Sequence, residues 1–369
     1  MLSKARFILS KKKAIEKYNE IKKLSDFVSY SFKTNMDVGL VLEKETDCFF
    51  SVHTIDDFKR LNNKSAERVW FFSQAWNFEE LNILFSKNVN KFVVDNEVDL
   101  KILLDYIEKK NEKEKNEVNN IKKDNKKIWL LLRMKLKENT IHTGKHFVYG
   151  LISSKINELL PILKKNKNIE KLGIHFHRKT QNVSEWDLKD ELIDSIKNEN
   201  WQFIDFVNIG GGLPAEYKNY NMSILENIKK KIIDLKNWLN NRNIKMIIEP
   251  GRFISAPAVK LEANIKSIYD NNIIIDCSVY NAAMDTFVAH IRLLVENEVD
   301  EKNIENEKDN DVIPYTIKGN TPDSMDIFRY RVFLKKQKLG NKIVFLNAGA
   351  YNYASDFCNL PKLETIVVE

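Results

Sequence analysis

Eight short apolar runs alternate with segments of helical periodicity between residues 27 and 252. The runs have the length and the β-branched or aromatic content of buried strands. They cover residues 27–32, 48–52, 69–72, 91–94, 128–133, 172–177, 203–209 and 246–249. Strands that alternate with helices are typical of parallel sheets with crossover connections. Eight such units predict an α/β fold with a (β/α)8 barrel.

The pattern changes after residue 253. Strand-like runs are then separated by turn candidates such as Tyr269-Asp270-Asn271-Asn272, and helical periodicity is weak. These runs cover residues 259–268, 272–276, 312–318, 330–334 and 342–346. We therefore predict a barrel at residues 27–252, followed by an antiparallel β-domain. Residues 253–369 would form this second domain together with the N-terminal segment 1–26, which contains a helix at 12–24.

Charge and composition exclude several classes of protein. The net charge is +7, but basic and acidic residues are interspersed, whereas nucleic-acid binding favours a basic stripe with aromatic residues. Apolar runs are too short to span a bilayer or to form a signal peptide. Cys48, Cys277 and Cys358 form neither a metal-binding spacing nor a disulfide framework. We expect a cytoplasmic protein that binds neither membrane nor nucleic acid, with solvated insertions at 109–127 and 295–311.

Polar residues stand at the ends of the predicted strands, where barrel enzymes place their chemistry. In chain order these positions hold Lys33, His53, Gln74, Asp95, Arg133, His177, a glycine triplet at 210–212 and Glu249. A lysine at a barrel mouth could form a Schiff base with a carbonyl group, although most lysines are solvated surface charges. The concentration of polar groups favours a functional site at this end of the barrel.

Two of these positions are suited to phosphate binding. Gly210, Gly211 and Gly212 permit close approach of the backbone to a ligand, although a tight turn would use the same residues. In the sequence Glu249-Pro250-Gly251-Arg252, the Gly251 N–H and the Arg252 guanidinium could contact a phosphate.

Glu249 and two histidines complete the candidate site. Glu249 could hold a proton on a pyridine nitrogen, because ion pairing favours the charged form of each partner; a surface salt bridge is the alternative. His175 and His177 face the same side of their strand, where an imidazole could stack on an aromatic cofactor. A metal site would need a third ligand that is not evident, and His175 could instead be a core residue.

These groups together indicate pyridoxal phosphate. Lys33 would form the Schiff base, the glycines and Arg252 would hold the phosphate, and His177 would stack on the ring. Glu249 would keep the pyridine nitrogen protonated, and the ring would then be an electron sink for a carbanion at the substrate Cα.

Over nearly its whole length the chain resembles the barrel-type pyridoxal phosphate-dependent amino-acid decarboxylases. This alanine-racemase-like family includes the ornithine, diaminopimelate and carboxynorspermidine decarboxylases. The motifs are Tyr30-Ser31-Phe32-Lys33-Thr34-Asn35, Gly173-Ile174-His175-Phe176-His177, the triplet 210–212, Glu249 to Arg252 and Ala348-Gly349-Ala350-Tyr351. The resemblance implies that Arg133, Thr180 and Tyr351 also bind the cofactor. It further implies a homodimer with active sites at the interface, to which the β-domain contributes.

Residues 319–326 resemble the segment that a partner subunit inserts into the active site. The family normally has a cysteine there that is implicated in reprotonation of Cα, but this chain has Pro322. Cys358, near the Tyr351 motif, is one candidate replacement. Asp323, with Ser324 beside it, could bind a distal substrate ammonium. His290 could read a distal carboxylate, with a structural role as the alternative.

The resulting hypothesis is a carboxy-lyase that converts an L-amino acid to its amine and CO2. A diamino acid or polyamine precursor, such as ornithine, lysine, diaminopimelate or carboxynorspermidine, is the favoured substrate. An amino-acid racemase of the same fold is one alternative. A non-catalytic regulatory homologue that binds pyridoxal phosphate is another, and Pro322 is the observation that favours it.

Overall fold

The computed structural model describes residues 4–117, 127–135, 149–220, 222–301, 312–352 and 354–369. The described chain begins with strand β1 (Arg6–Ser10) and helix α1 (Lys11–Lys22). The helix starts where the Ser10 side chain accepts a hydrogen bond from the Lys13 N–H. The predicted N-terminal helix is therefore confirmed, whereas β1 was not predicted.

A closed barrel of parallel strands follows. Its strands are β2 (Phe27–Ser31), β3 (Phe49–Val52), β4 (Val69–Phe71), β5 (Lys91–Val94), β6 (Ile128–Arg133), β7 (Ile169–His175), β8 (Phe206–Asn208) and β9 (Lys245–Ile248). Each strand pairs with the next in the sequence, and β9 pairs with β2 to close the barrel. The predicted (β/α)8 barrel is confirmed, and each predicted strand overlaps an observed one.

Helices connect the barrel strands. They are α2 (Met36–Glu45), α3 (Ile55–Arg60), α4 (Phe78–Ser86), α5 (Glu97–Glu117), α6 (Ser153–Lys164), α7 (Leu188–Ser195) and α8 (Leu225–Asn240), with the short α9 (Arg252–Ala258) after the last strand. Asn35 caps α2 through its side-chain oxygen and also donates a hydrogen bond of 2.8 Å to the Gly349 carbonyl. The backbone just after Lys33 is thereby fixed to both parts of the protein.

The remaining strands form a second sheet. They are β10 (Val259–Tyr269), β11 (Asn272–Ile275), β12 (Leu294–Val295), β13 (Val312–Lys318), β14 (Ile327–Lys335), β15 (Lys342–Leu346) and β16 (Glu364–Val368), with short helices α10 (Val279–Ala282) and α11 (Asp285–Val288). Most pairs are antiparallel, as predicted, but β11 pairs with β13, and β1 with β16, in parallel. The proposed division at residues 27 and 252 stays a prediction.

Apolar side chains fill the barrel below its mouth. Trp70, Val93, Leu131, Phe206 and Ile247 come from different strands and form one buried cluster. Successive residues of a strand face opposite sides, so these positions point inward while their neighbours pack against the helices. Polar inward-facing residues are thereby left to the C-terminal ends of the strands.

Two further expectations concern the charged insertions and the absence of membrane-spanning segments. Helix α5 runs into the predicted insertion 109–127, but residues 118–126 lie outside the described part, as do 302–311 of the second insertion. Among the described residues, no helix has the length and apolar character needed to cross a membrane.

Candidate active site

A cavity of about 430 Å³ opens at the C-terminal ends of the barrel strands. Most of the residues that the sequence selected for the cofactor line it. These are Lys33, Arg133, His177, Thr180, Gly211, Gly212, Glu249, Gly251, Arg252 and Tyr351. Residues from strands far apart in the chain are therefore brought to one site by closure of the barrel.

Lys33 follows β2 in a single helical turn at residues 32–34. Its side chain reaches into the cavity, where surrounding protein removes part of its hydration. This desolvation lowers the pKa of Lys33; the charge of Arg133 also lowers it, and the charge of Glu249 acts in the opposite direction. A lowered pKa makes the neutral, nucleophilic amine more accessible than in a surface lysine.

Glu249 directly follows β9, the last barrel strand, and accepts hydrogen bonds from three side chains. Ser51 Oγ lies 2.6 Å from Oε1, Asn208 Nδ2 lies 3.0 Å from Oε1, and His175 Nε2 lies 3.1 Å from Oε2. Burial acts to raise the pKa of Glu249, but the charge interaction with His175 and these hydrogen bonds outweigh it and hold the pKa well below its usual range. The cavity therefore contains a carboxylate that stays ionised.

His177 is neutral in this site. Burial, followed by the charge of Arg133, lowers the pKa of His177 to about 4. Its Nδ1 accepts a hydrogen bond of 3.2 Å from the Gly211 N–H, so the ring proton belongs on Nε2.

The described residues contain no cluster of three His, Cys, Asp or Glu side chains that could hold a metal ion.

The glycine triplet is only partly available to a ligand. The Gly210 N–H donates to Asn208 Oδ1 at 2.9 Å, and the Gly211 N–H is engaged by His177. Gly210 and Gly212 have φ angles of 67° and 99°, which favour glycine. The first two amides hold the loop itself, which leaves Gly212 as the member suited to contact a phosphate.

Arg252 is held in a buried ion pair with Asp285, and both of its terminal nitrogens bond to that carboxylate. It also donates to Tyr217 Oη at 2.9 Å and to Thr180 Oγ1 at 3.3 Å. The Tyr351 ring lies 5.2 Å from the guanidinium carbon. Arg252 thus organises one wall of the cavity in addition to any direct contact with a ligand.

The predicted substrate-binding residues lie outside this cavity. Asp323, Ser324 and His290 do not line the cavity. Asp323 Oδ1 accepts a hydrogen bond of 2.7 Å from the Met325 N–H, while Ser324 and the His290 side chain are exposed. Within residues 319–326, the buried carboxylate is that of Asp326, which accepts hydrogen bonds from Val279 and Thr321.

Several supporting residues were missed by sequence reasoning. Ser51 and Asn208 each lie near the C-terminal end of a strand, a signal that could have drawn attention to them. His175 was left between a core role and a functional role, and it contacts Glu249 directly. Asp285 carried no signal, because it lies in a short helix beyond the barrel and meets Arg252 only in the folded chain.

Comparison with known proteins matches residues 12–256 to the pyridoxal binding domain of pyridoxal-dependent decarboxylases. The carboxynorspermidine/carboxyspermidine decarboxylase of Campylobacter jejuni is 28% identical over 47% of this chain and 46% of its own length. The diaminopimelate decarboxylase of Helicobacter pylori is 24% identical over 62% of this chain and 57% of its own. The matches thus span about half the length of these curated relatives.

Solved structures share the fold over the whole chain. Diaminopimelate decarboxylase from Helicobacter pylori, complexed with L-lysine, superposes with a TM-score of 0.78 at 18% identity, covering 100% of this chain and 92% of that one. Lysine/ornithine decarboxylase from Vibrio vulnificus, complexed with putrescine, gives 0.76 at 19% identity, covering 99% and 94%. The barrel, its lysine-bearing mouth and the family match agree, and the chain belongs to the family of pyridoxal-dependent decarboxylases.

Proposed function

We propose that this protein removes the α-carboxylate of an L-amino acid as CO2 with the help of pyridoxal phosphate. The favoured substrates are diamino acids or polyamine precursors of the ornithine, lysine, diaminopimelate or carboxynorspermidine type. The observation that carries the proposal is the placement of Lys33, His177 and Glu249 around one cavity. An amine of lowered pKa, a neutral imidazole and an ionised carboxylate are suited to bind this cofactor and tune its electronics.

The cavity wall fits the phosphate of the cofactor. Thr34 Oγ1 is buried at this wall and has no hydrogen-bond partner among the described residues. A Cβ at position 251 would collide with the Thr34 side chain, so only glycine allows these two segments to approach each other. An orphaned hydroxyl beside glycine backbone is a suitable donor to a phosphate oxygen. We propose that Thr180, Gly212 and Tyr351 complete this phosphate site.

Each side chain at the cavity mouth would then have a defined task. When bound, pyridoxal phosphate accepts the electron pair left at Cα as CO2 departs. Glu249 would hold a proton on the pyridine nitrogen, since its charge favours the protonated partner. Lys33 would bind the aldehyde carbon through its amine, and His177 would pack against the ring.

The choice of diamino acids and polyamine precursors is supported by the two curated relatives. Their names specify carboxynorspermidine or carboxyspermidine in one case and diaminopimelate in the other. Each of these substrates carries a second amine in addition to the one at Cα. Asp323 is the candidate partner of that distal ammonium, because a carboxylate pairs with an ammonium.

We also propose a homodimer, because the substrate-binding candidates lie outside the cavity of their own chain. Met325, two residues after Asp323, and Tyr330, in β14, are 59% and 65% exposed. Exposed apolar side chains that form a contiguous patch mark a surface that a partner covers. A second copy could bring Asp323 and Ser324 to the cavity opening, and His290 would read a distal carboxylate if the substrate has one.

The function is tested by loading the purified protein with pyridoxal phosphate and supplying one amino acid at a time. We expect CO2 release with one or a few diamino acids, an amine product identified by its mass, and a borohydride-trapped adduct on Lys33. Loss of optical rotation without CO2 would indicate the racemase. Cofactor binding without any turnover would indicate the regulatory homologue, and absence of the adduct on Lys33 would overturn the proposal.

A further inference from the structure

His53 is a polar residue of the cavity wall that the proposed function leaves without a role. It follows β3 and lines the cavity together with Lys33. Its ring lies 5.7 Å from the ring of Phe72, centroid to centroid. Its Nδ1 is shielded from solvent and has no hydrogen-bond partner among the described residues. Such an atom calls for an explanation, because most buried polar atoms are paired.

The surroundings of His53 decide where its proton lies. Burial, followed by the charge of Lys33, lowers the pKa of His53 to about 3, so the ring is neutral near pH 7. A proton on Nδ1 would be a buried donor without an acceptor, which favours the tautomer with its proton on Nε2. His53 therefore offers the cavity an uncharged N–H donor. The charged or titratable groups that act on it are Lys33, Glu249, His175 and Arg133.

The order of the barrel strands places this donor on the opposite side of Lys33 from the proposed phosphate-binding residues. Strand β2, which leads to Lys33, pairs with β3 on one side and with β9 on the other. Gly212 follows β8, and Gly251 with Arg252 follows β9. His53 follows β3, so it stands on the other side of Lys33 from these residues.

Pyridoxal phosphate has a matching asymmetry. The carbon that bears its aldehyde lies between two ring carbons, one carrying the phosphate arm and the other the phenolic oxygen. If the aldehyde meets Lys33 and the phosphate arm lies on the β8–β9 side, the phenolic oxygen is directed to the β3 side. That is the side on which His53 presents its N–H group.

We propose that His53 donates a hydrogen bond from Nε2 to the ionised phenolic oxygen of the cofactor. The inference rests on the proposed function, because it requires the cofactor in this cavity. The Phe72 ring contacts the His53 imidazole. Phe72 also contacts Arg133, whose guanidinium carbon lies 5.2 Å from the centroid of the Phe72 ring. A neutral donor stabilises the oxygen anion and lowers its basicity. Because the phenolic oxygen is then less basic, the bound cofactor would lose its proton at a lower pH.

The test is a pH titration of the near-ultraviolet and visible absorbance of the cofactor-loaded protein. His53→Phe keeps a planar ring but removes the donor, and we expect the midpoint to rise by about one pH unit. His53→Gln retains an N–H donor and should move the midpoint back towards that of the parent. If phenylalanine prevents folding, as judged by circular dichroism, the pair His53→Ala and His53→Gln makes the same comparison.

Identical midpoints in the parent and the donor-free variant would overturn the proposed hydrogen bond. An unchanged midpoint with weaker binding of the amino acid, but not of its amine product, would overturn it as well and assign His53 to the substrate carboxylate. Failure of the parent protein itself to take up the cofactor would overturn the proposed function too. The failures of the two proposals are therefore distinguishable.

Discussion

The cavity mouth and the Asp323 loop (residues 319–326) differ in how their polar groups are held. At the mouth, Glu249 accepts hydrogen bonds from Ser51, Asn208 and His175, which come from three different strands. In the loop, Asp323 accepts a hydrogen bond from Met325 within its own segment, and Ser324 is exposed. The first region is complete within one chain. The second lies outside the cavity of its own chain, where Asp323 also bonds the Tyr280 side chain, and we propose that it acts at the cavity of another copy.

The largest effect is expected for Lys33→Ala. Without the amine, the cofactor loses its covalent attachment, and CO2 release should fall below about a thousandth of the parent rate. The measurement is CO2 release with the parent's best substrate. Lys336→Ala removes an exposed lysine and serves as the matched control. Substantial activity in Lys33→Ala would show that the mouth is not the catalytic region.

A large effect on stability is expected for Asp285→Ala. The substitution leaves the Arg252 guanidinium buried without its carboxylate, which should cost about 3–5 kcal/mol in free energy of unfolding. Urea unfolding measures this cost, and cofactor affinity should weaken with it. Asp56→Ala breaks an exposed ion pair with Lys59 and should cost no more than about 1 kcal/mol. Equal costs would mean that Arg252 is not held by Asp285.

An intermediate effect tests whether the Asp323 loop acts across a dimer. Lys33→Ala and Asp323→Ala should each be nearly inactive when pure. After mixing with subunit exchange, half of the dimers pair the two variants, and one of their two sites is intact, so about a quarter of the parent activity should return. Copurification of differently tagged chains verifies the exchange. Exchange without recovered activity would confine Asp323 to its own chain or remove it from the site.

The smallest effect concerns acid stability and Glu249. Its pKa is lowered in the folded chain, so its ionised form stabilises the fold at pH values above its unfolded pKa, which is about 4.3. That contribution, on the order of 1–3 kcal/mol, is lost as the pH falls towards the lower pKa of the folded state. The parent's advantage over Glu249→Gln in free energy of unfolding should therefore shrink below about pH 4.

Thermal or urea unfolding at several pH values measures this advantage. Glu79→Gln, an exposed position in the first turn of α4, is the control for loss of a charge. A gap between parent and Glu249→Gln that stays constant from neutral to acid pH would show that folding does not lower the pKa of Glu249.

Much of the barrel was predictable because its signals are local. The predicted strand 91–94 coincides with β5, and 128–133 coincides with β6, since buried strands of a parallel sheet are recognisable as short apolar runs. The second sheet was harder to predict. Strands β1 and β16 were missed because they are short and partly polar, and each is stabilised by pairing with a part of the chain that is distant in sequence.

The sequence by itself determined the order of the chemistry: Lys33, His177, the glycine triplet and Glu249 each stand at the end of their own strand, and a parallel barrel collects such ends at one mouth. Tertiary structure decided which groups touch. It gave Glu249 its three hydrogen-bond partners, paired Arg252 with Asp285, engaged the Gly211 amide with His177 and left Asp323 outside the cavity. The physical reason is that distances across a closed barrel, and hence burial and pKa values, depend on strand pairing and not on spacing along the chain.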